Sequence, residues 1–555
     1  MWLFLDKLYW HRTLNTKDML DIVIKNGSIV DGAGNPWFRT DIGVKAGRIF
    51  KIGRLSESQG EAVIDAKEEI VAPGFVDIHN HSDGSIIAEP MARSAVRQGV
   101  TTIVIGNCGS SLAPITDETL PMMRKEFDAI HEGFEIPWNW RSFSQYLDGL
   151  GHIHPSINVV PLVGHGMART VVMGLEAGDP NTEELETMKK HVEQAMEAGA
   201  FGLSTGLIYA PGCFAKTEEI IELCKVVAEY GGIYASHIRS EGHALSEAVK
   251  EAISIGRKTG VSVQVSHHKA FGRKNWGKVK ETLRLMENAR KEGVEVTCDV
   301  YPYMAGMTSL SALLPPWARE GGRERTLERL RESGSYQEIL RDLKWEAHTW
   351  ENLLELAGPE NIIISMSNKF KDYEGMSLSN IATIRDTDTF TAMLDVLLKD
   401  EALTDILVRG MHEDDVRTII KHPLSMIGTD SWIAIPGVGK PHPRFYGTYP
   451  RILSRYVREQ KLLRLEEAIR KMSSMPCQKL GLFDRGLIKE GFWADLVIID
   501  QERVLDKATY DNPHQYPNGV EHVIVNGEIV VRDGEHTGKR PGRVLRRTGA
   551  KGIIR

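Results

Sequence analysis

The stretch Ile70 to Ser85 reads IVAPGFVDIHNHSDGS, and the rest of the chain is arranged around it. An apolar run of strand character ends in two histidines, His79 and His81, two residues apart. Alternate side chains of a strand share a face, so both imidazoles project the same way and offer a pair of nitrogen ligands to one metal ion. A polar turn with two surface histidines is the plainer alternative, and the pattern on either side decides between the two.

Upstream, DIVIKNGSIVDG, DIGVKAGRIFKIG and AVIDAKEEIVAPG are short β-branched runs separated by Asn-Gly, Ala-Gly and Ala-Lys turns, the pattern of hairpins. The same pattern returns in GFWADLVIID from Gly491 and VEHVIVNGEIVVRDG from Val520. Each all-β segment is too short to stand alone. Residues 19–68 together with 485–550 are therefore expected to form one small β-sandwich built from both chain ends. Residues 1–18 look detached from this pattern, an N-terminal extension with Met19 as an eligible start.

Between the ends the pattern changes to strand, loop and helix in alternation. TTIVIGN (101–107), INVVPLVGHG (157–166), AFGLSTG (200–206), GGIYASHIR (231–239), VSVQVSHHK (261–269), VEVTCDVYPY (294–303), NIIISMS (361–367) and PLSMIGTD (423–430) are strand candidates. Several are nearly continuous apolar runs followed by helical stretches such as TEELETMKKHVEQAMEAG, as buried parallel strands are. With the strand at Ile70 they supply one more than a TIM-like (β/α)8 barrel needs, which places an α/β barrel at residues 69–484. The region from Pro315 to Asp415 exceeds one barrel unit. Its Leu327, Leu330, Ile339, Leu340 and Leu343 recur at helical spacing, so an inserted helical lid is expected within 310–415. His79, His81, Cys108, His165, His237, His267, Asp299 and Asp430 close the strand candidates, and active sites of such barrels lie at the carboxyl ends of the strands. Imidazole, thiolate and carboxylate are the donors that zinc and similar metals take.

Composition narrows the function classes. The 555 residues carry 68 Lys and Arg against 75 Asp and Glu, a net charge of −7, which argues against a nucleic-acid partner. Lys539, Arg540, Arg543, Arg546, Arg547, Lys551 and Arg555 form a basic tail without stacking aromatics, read as a solvated surface tail. Five cysteines without framework spacing point away from disulfides and toward a reducing, cytoplasmic setting. The N-terminus lacks the marks of a secretory signal, and no long apolar run could span a bilayer, so no membrane partner is expected.

The segments PGFVDIHNH, GNCGSSLAP, GHGMAR, GLSTGLIYAPG, SHIRSEG, SHHK, DVYPY, MIGTD, PHPR, ADLVIID and HTGKRPGR follow one another from about residue 20 to residue 547. In that order they resemble the D-aminoacylases, the N-acyl-D-amino-acid deacylases of the amidohydrolase superfamily. The resemblance implies a zinc enzyme that hydrolyses the amide of a small N-acyl-D-amino acid. It implies Cys108, His237 and His267 as ligands of a tight zinc ion, with His79, His81 and Asp430 bordering a second, weaker position. It also implies Asp430 as the general base and acid, Lys269 and Arg444 as carboxylate binders, Tyr209 as a donor to the developing oxyanion, and Tyr301 as a further substrate contact, Tyr303 being equally eligible. Asp430 as a purely structural ligand is compatible with the same motif. His268, next to His267, faces the other way on a strand and is no ligand candidate.

Two departures bear on the substrate side chain: Trp432 stands where a glycine is usual in a loop longer than expected, and SDGS follows His81 where a second acidic residue is common. A related amidohydrolase opening a cyclic amide, such as a hydantoin or imide, is the second reading. It would carry a lysine bridging two metals, which the Cys108 motif argues against. A catalytically silent scaffold is the third, and such scaffolds lose ligands that this chain retains.

Overall fold

The opening stretch is two strands, Ile70–Pro73 and Phe75–Asp77, divided at Gly74. A Cβ on Gly74 would sit 2.2 Å from Thr101 Cγ2, so only glycine lets the chain pass this close while it changes sheets. Ile70–Pro73 pairs antiparallel with Leu496–Ile499 and parallel with the end of Leu20–Ile29. Phe75–Asp77 pairs parallel with Val100–Ile105 instead. The single strand expected at Ile70 is thus corrected: its first half belongs to the terminal sheet and its second half to the parallel one.

The computed structural model describes residues 19–130, 136–344 and 350–548, a mixed α/β architecture of the TIM-barrel type. The expected extension at residues 1–18 lies outside the described residues. Both all-β ends join one nine-stranded hydrogen-bonded sheet, through the pairing of Ile70–Pro73 with Leu496–Ile499. Ile24, Ile42 and Val44 from one end share an apolar core with Leu496, Ile498 and Ile524 from the other, and removing such side chains from water is what fuses the two ends.

The central strands run parallel. Phe75–Asp77, Val100–Ile105 and Asn158–Pro161 form one sheet; Val163–Gly164, Gly202–Gly206, Ile233–His237, Ser262–Val265, Val296–Val300 and Ser425–Ile427 form another. Leu162 N donates to Ile105 O between the two, and a parallel bridge of Asn80 with Ser431 joins the first run to the last. The intervening helices have local causes. Thr182–Ala198 starts at a capping box of Asn181 with Glu184 and stops at Gly199, whose φ is +109°. Its Met188, Val192, Ala195 and Met196 recur at helical spacing and are buried against the strands.

NIIISMS, the spare barrel-strand candidate, lies elsewhere. Ile362–Met366 pairs antiparallel with Asp405–Arg409, which also pairs with Ala305–Ser309, in a separate three-stranded sheet. Around it pack Gly322–Arg331, Ser333–Lys344 and Thr389–Lys399, with a core of their own that includes Leu330, Ile339, Ile364, Leu394 and Ile406. Apolar continuity cannot distinguish a buried strand of an inserted sheet from a barrel strand, since both lose water on both faces. The insertion is therefore part sheet, where the sequence pointed to helices alone. Along the basic tail Lys539, Arg540, Arg543 and Arg546 are exposed, as expected of a solvated tail, while Arg547 is half-buried and donates to the carbonyls of Tyr230 and Leu480. Lys551 and Arg555 lie outside the described residues.

Candidate metal centre and substrate cavity

The end of the first parallel strand is tied to the end of the last. Asp77 accepts from Thr429 N at 2.8 Å, from Thr429 Oγ1 at 2.6 Å and from Asn80 Nδ2 at 2.9 Å. This brings His79 and His81, which follow Asp77, against Asp430. Asp430 Oδ1 lies 3.1 Å from His81 Nε2 and 3.4 Å from His79 Nε2, and the two imidazole nitrogens are 3.3 Å apart.

Cys108 follows Val100–Ile105 in a tight turn. Its Sγ lies 3.4 Å from His79 Nε2 and 3.4 Å from His267 Nε2. Gly206 makes the turn possible, since a Cβ there would meet the Cys108 carbonyl oxygen at 2.2 Å. His237 ends its strand with its ring 4.4 Å from that of His267, and neither of its nitrogens has a hydrogen-bond partner among the described residues. Cys108, His267 and Asp430 have φ of +51°, +35° and +52°. Left-handed backbone at non-glycine residues is costly, and its concentration on three neighbouring donor residues marks a constrained functional site. His165 does not join them; it is buried against Glu219 at 2.7 Å, beside Arg169. His268 points away, to Thr282 Oγ1 at 2.8 Å.

The substrate residues expected from the sequence surround this cluster. Arg444 begins the helix Arg444–Arg451 and places Nη1 2.8 Å from Asp430 Oδ2. It is an ion pair rather than an aligned hydrogen bond, for Nη1 and Nε have no hydrogen-bond partner among the described residues. The Arg444 guanidinium and the Lys269 ammonium both lie over the Tyr301 ring, at 4.6 and 5.7 Å. Tyr209 has its ring 5.1 Å from His237 and its hydroxyl 3.1 Å from Thr308 Oγ1. Tyr303 stands apart, donating to the Pro443 carbonyl. All of these except Tyr303 line one cavity of about 540 Å³ together with His81, Cys108, His237, His267 and Asp430.

Glu241 was absent from the sequence-based set. Its Oε1 accepts from Lys269 Nζ at 2.6 Å and lies 2.9 Å from His267 Nδ1. A carboxylate on the outer nitrogen of an imidazole fixes its tautomer and presents the other nitrogen to a metal. The signal was its spacing, four residues after His237 in SHIRSEG, but it sits on an exit loop rather than a strand. Glu351, from the insertion, accepts from Ser240 Oγ, Glu241 N and Gly242 N and so pins that loop.

Electrostatics sharpen the donor set. Burial alone would raise the Cys108 thiol, but His79, His267 and His81 overcome it and hold the thiol well below its usual range. Burial likewise opposes ionisation of Asp430, and Arg444 and His267 reverse it, leaving a carboxylate. Desolvation, aided by the charge of His267, lowers His237 and keeps its imidazole neutral, the form that binds metal.

A family model described as amidohydrolase family matches residues 62–531. N-acyl-D-glutamate deacylase of Alcaligenes xylosoxydans xylosoxydans is 36% identical over 96% of this chain and 97% of its own length. The chain belongs to the amidohydrolase family, on its D-aminoacylase branch. A D-aminoacylase of the same organism is 35% identical over 96% of this amidohydrolase and 98% of the relative. Among solved structures, N-acyl-D-glutamate deacylase from Bordetella bronchiseptica superposes with a TM-score of 0.79 at 35% identity. That alignment covers 95% of this chain and all of the other, which was solved with zinc and a phosphonate mimic of the tetrahedral intermediate.

The residues of this amidohydrolase fit a metal. His79, Cys108 and His267 offer donor atoms within 4.8 Å of one another, as do His79, His81 and Asp430, and His237, Glu241 and His267. A thiolate, four imidazoles and a carboxylate converging at such spacing, with both nitrogens of the neutral His237 lacking a hydrogen-bond partner, match zinc's preference for S, N and O donors.

Proposed function

We propose that this amidohydrolase is a zinc-dependent N-acyl-D-amino-acid deacylase, cleaving the amide to a carboxylate and a free D-amino acid. Cys108, His237 and His267 would hold the tight zinc ion, and His79, His81 and Asp430 a second, weaker one. The observation that carries this reading is one cavity holding a low-pKa thiol 3.4 Å from two imidazoles, a buried carboxylate, and a guanidinium with two nitrogens lacking hydrogen-bond partners.

Zinc on these donors would lower the pKa of a water toward about 7 and polarise the amide carbonyl. Asp430, kept ionised, receives the proton of the attacking water on Oδ1 and returns it to the leaving nitrogen. Arg444 and Lys269 bind the substrate's α-carboxylate, Arg444 through its fork. Tyr301 lies beneath both cations. Tyr209, a phenol held protonated by burial next to His237, donates to the developing oxyanion. Glu241 orients His267 and Lys269.

The domain reading accompanies this. The parallel runs from Phe75 to Ile427 close as a (β/α)8 barrel, and the terminal sheet, which takes in Ile70–Pro73 together with strands from both chain ends, folds over as a β-sandwich on its shared core. The insertion within 310–415 acts as a lid, its Val408 reaching the cavity beside Met307 of the strand Ala305–Ser309 that pairs with it. All five cysteines are free thiols, in keeping with a cytoplasmic enzyme, and no helix among the described residues is long and apolar enough to cross a membrane.

Two measurements test the function. Purified protein should contain zinc by elemental analysis and lose activity to a chelator. Against paired N-acetyl-D- and N-acetyl-L-amino acids it should hydrolyse the D forms; preference for L, or activity indifferent to chelation, refutes the reading.

A further inference from the structure

In the PHPR segment the deacylase reading uses Arg444 and leaves His442 without a role, although the His442 side chain is completely buried. His442 is not among the described residues that line the cavity, but its ring joins two elements that do reach it. Nδ1 accepts from Arg444 N at 2.9 Å, and Nε2 donates to the Ala305 carbonyl at 3.0 Å, with the Tyr510 hydroxyl 3.4 Å from the same nitrogen. Tyr303 and Tyr510 meet the ring edge to face at 5.0 and 5.1 Å and fix its plane. An acceptor at one nitrogen and a donor at the other require the neutral tautomer protonated on Nε2. Burial, and then the charge of Arg444, keep it neutral by holding the imidazole well below its ordinary pKa.

Each bond lands on an element whose position the reaction needs. Arg444 opens the helix Arg444–Arg451, and Pro443 before it has neither an N–H nor a capping side chain. The Arg444 N–H is one of the donors that a helix start leaves without an intrahelical acceptor, and His442 Nδ1 takes it where a side-chain oxygen ordinarily would. The guanidinium's own Nη1 and Nε have no hydrogen-bond partner among the described residues, so its aim is set by the helix start, the Tyr301 face and the Asp430 charge. At the other end, Ala305 begins the strand Ala305–Ser309, whose Thr308 Oγ1 lies 3.1 Å from the Tyr209 hydroxyl.

Resting on the deacylase reading above, we infer that His442 is a positioning residue: through Nδ1 it aims Arg444 at the substrate's α-carboxylate, and through Nε2 it holds the Thr308–Tyr209 pair at the scissile carbonyl. Asparagine carries an acceptor at the place of Nδ1 and glutamine a donor at the place of Nε2, so the two bonds can be removed one at a time. The zinc-loaded enzyme and its His442→Gln and His442→Asn variants are compared on one N-acetyl-D-amino acid that the unaltered enzyme hydrolyses and on its carboxamide, which lacks the charge that Arg444 meets. His442→Gln should lower the acid-over-amide ratio of kcat/KM about 10–100-fold, chiefly through KM for the acid. His442→Asn should keep that ratio within about threefold while kcat falls about tenfold on both substrates. Equal losses on acid and amide in both variants, the mark of a merely structural role, overturn the inference. So does a ratio in His442→Gln close to that of the unaltered enzyme, or a ratio lost in His442→Asn, so that either variant decides even where the other fails to fold. The deacylase reading survives all of these. An unaltered enzyme that turns over no D substrate, or that does not prefer the acid to its amide, overturns the reading and the inference together.

Discussion

Glu241→Gln tests the site most directly, because the change keeps the size and one acceptor oxygen while it removes the charge and turns the other oxygen into a donor. In the structure one oxygen, Oε1, serves both Lys269 Nζ at 2.6 Å and His267 Nδ1 at 2.9 Å, and Glu241 and Lys269 are each only about 8% exposed. Two effects follow. Loss of a carboxylate behind a ligating histidine costs about 10–100-fold in metal affinity, or about 1.4–2.7 kcal/mol. Leaving the buried Lys269 ammonium without its counter-charge, although still 2.8 Å from His267 Nδ1, costs about 3–5 kcal/mol of folding stability. The loop itself should stay in place, since the bond from the Glu241 backbone N–H to Glu351 is untouched. Competition of the purified variant with a chromogenic chelator reads the zinc affinity, and urea unfolding of the metal-free protein reads the stability. Zinc affinity within twofold of the unaltered enzyme would refute the positioning role, whatever happens to stability.

Asp430→Asn should keep most zinc yet lower kcat about 10²–10⁴-fold, as expected for loss of a general base; elemental analysis beside steady-state kinetics separates this from a purely structural ligand, whose loss would empty the site. Cys108→Ser should lose the tight metal and with it nearly all hydrolysis, measured as zinc per chain after dialysis. Gly206→Ala should do the same indirectly, because its Cβ would collide with the Cys108 carbonyl at 2.2 Å, and near-normal zinc content would show that the turn can yield. Lys479, buried far from the cavity against Ser262 Oγ and the Val263 carbonyl, has its pKa lowered to about 7 by burial. Below pH 7 the folded and unfolded chains both bind this proton and the cost of the buried charge is present in full; between pH 7 and about 10.5 the folded chain releases it first, so stability rises with pH. Lys479→Met should remove that rise in urea midpoints measured across the window.

Much of the site was legible because its donors close strand segments. His79, Cys108, His237, His267 and Asp430 each follow an apolar run whose parallel character is written in its composition, and parallel strands of one barrel end at one mouth. Glu241 was missed because a loop residue has no periodicity to announce it. Ile362–Met366 was misassigned because an apolar run reports burial but not which sheet buries it.

The stretch that opens the sequence shows where the division falls. Local sequence determined that IVAPGFVDIHNH is extended, apolar and ends in two same-facing imidazoles, since these depend only on side-chain alternation and strand propensity. It also carried, through ordered motifs, the candidate donor residues that the fold brings together. Only the tertiary structure decided that the strand divides at Gly74, that His79 meets Cys108 from a strand away, and that Asp430 is held by Arg444 across the mouth. Those relations are set by registers and ion pairs between residues tens to hundreds of positions apart, which no local propensity encodes.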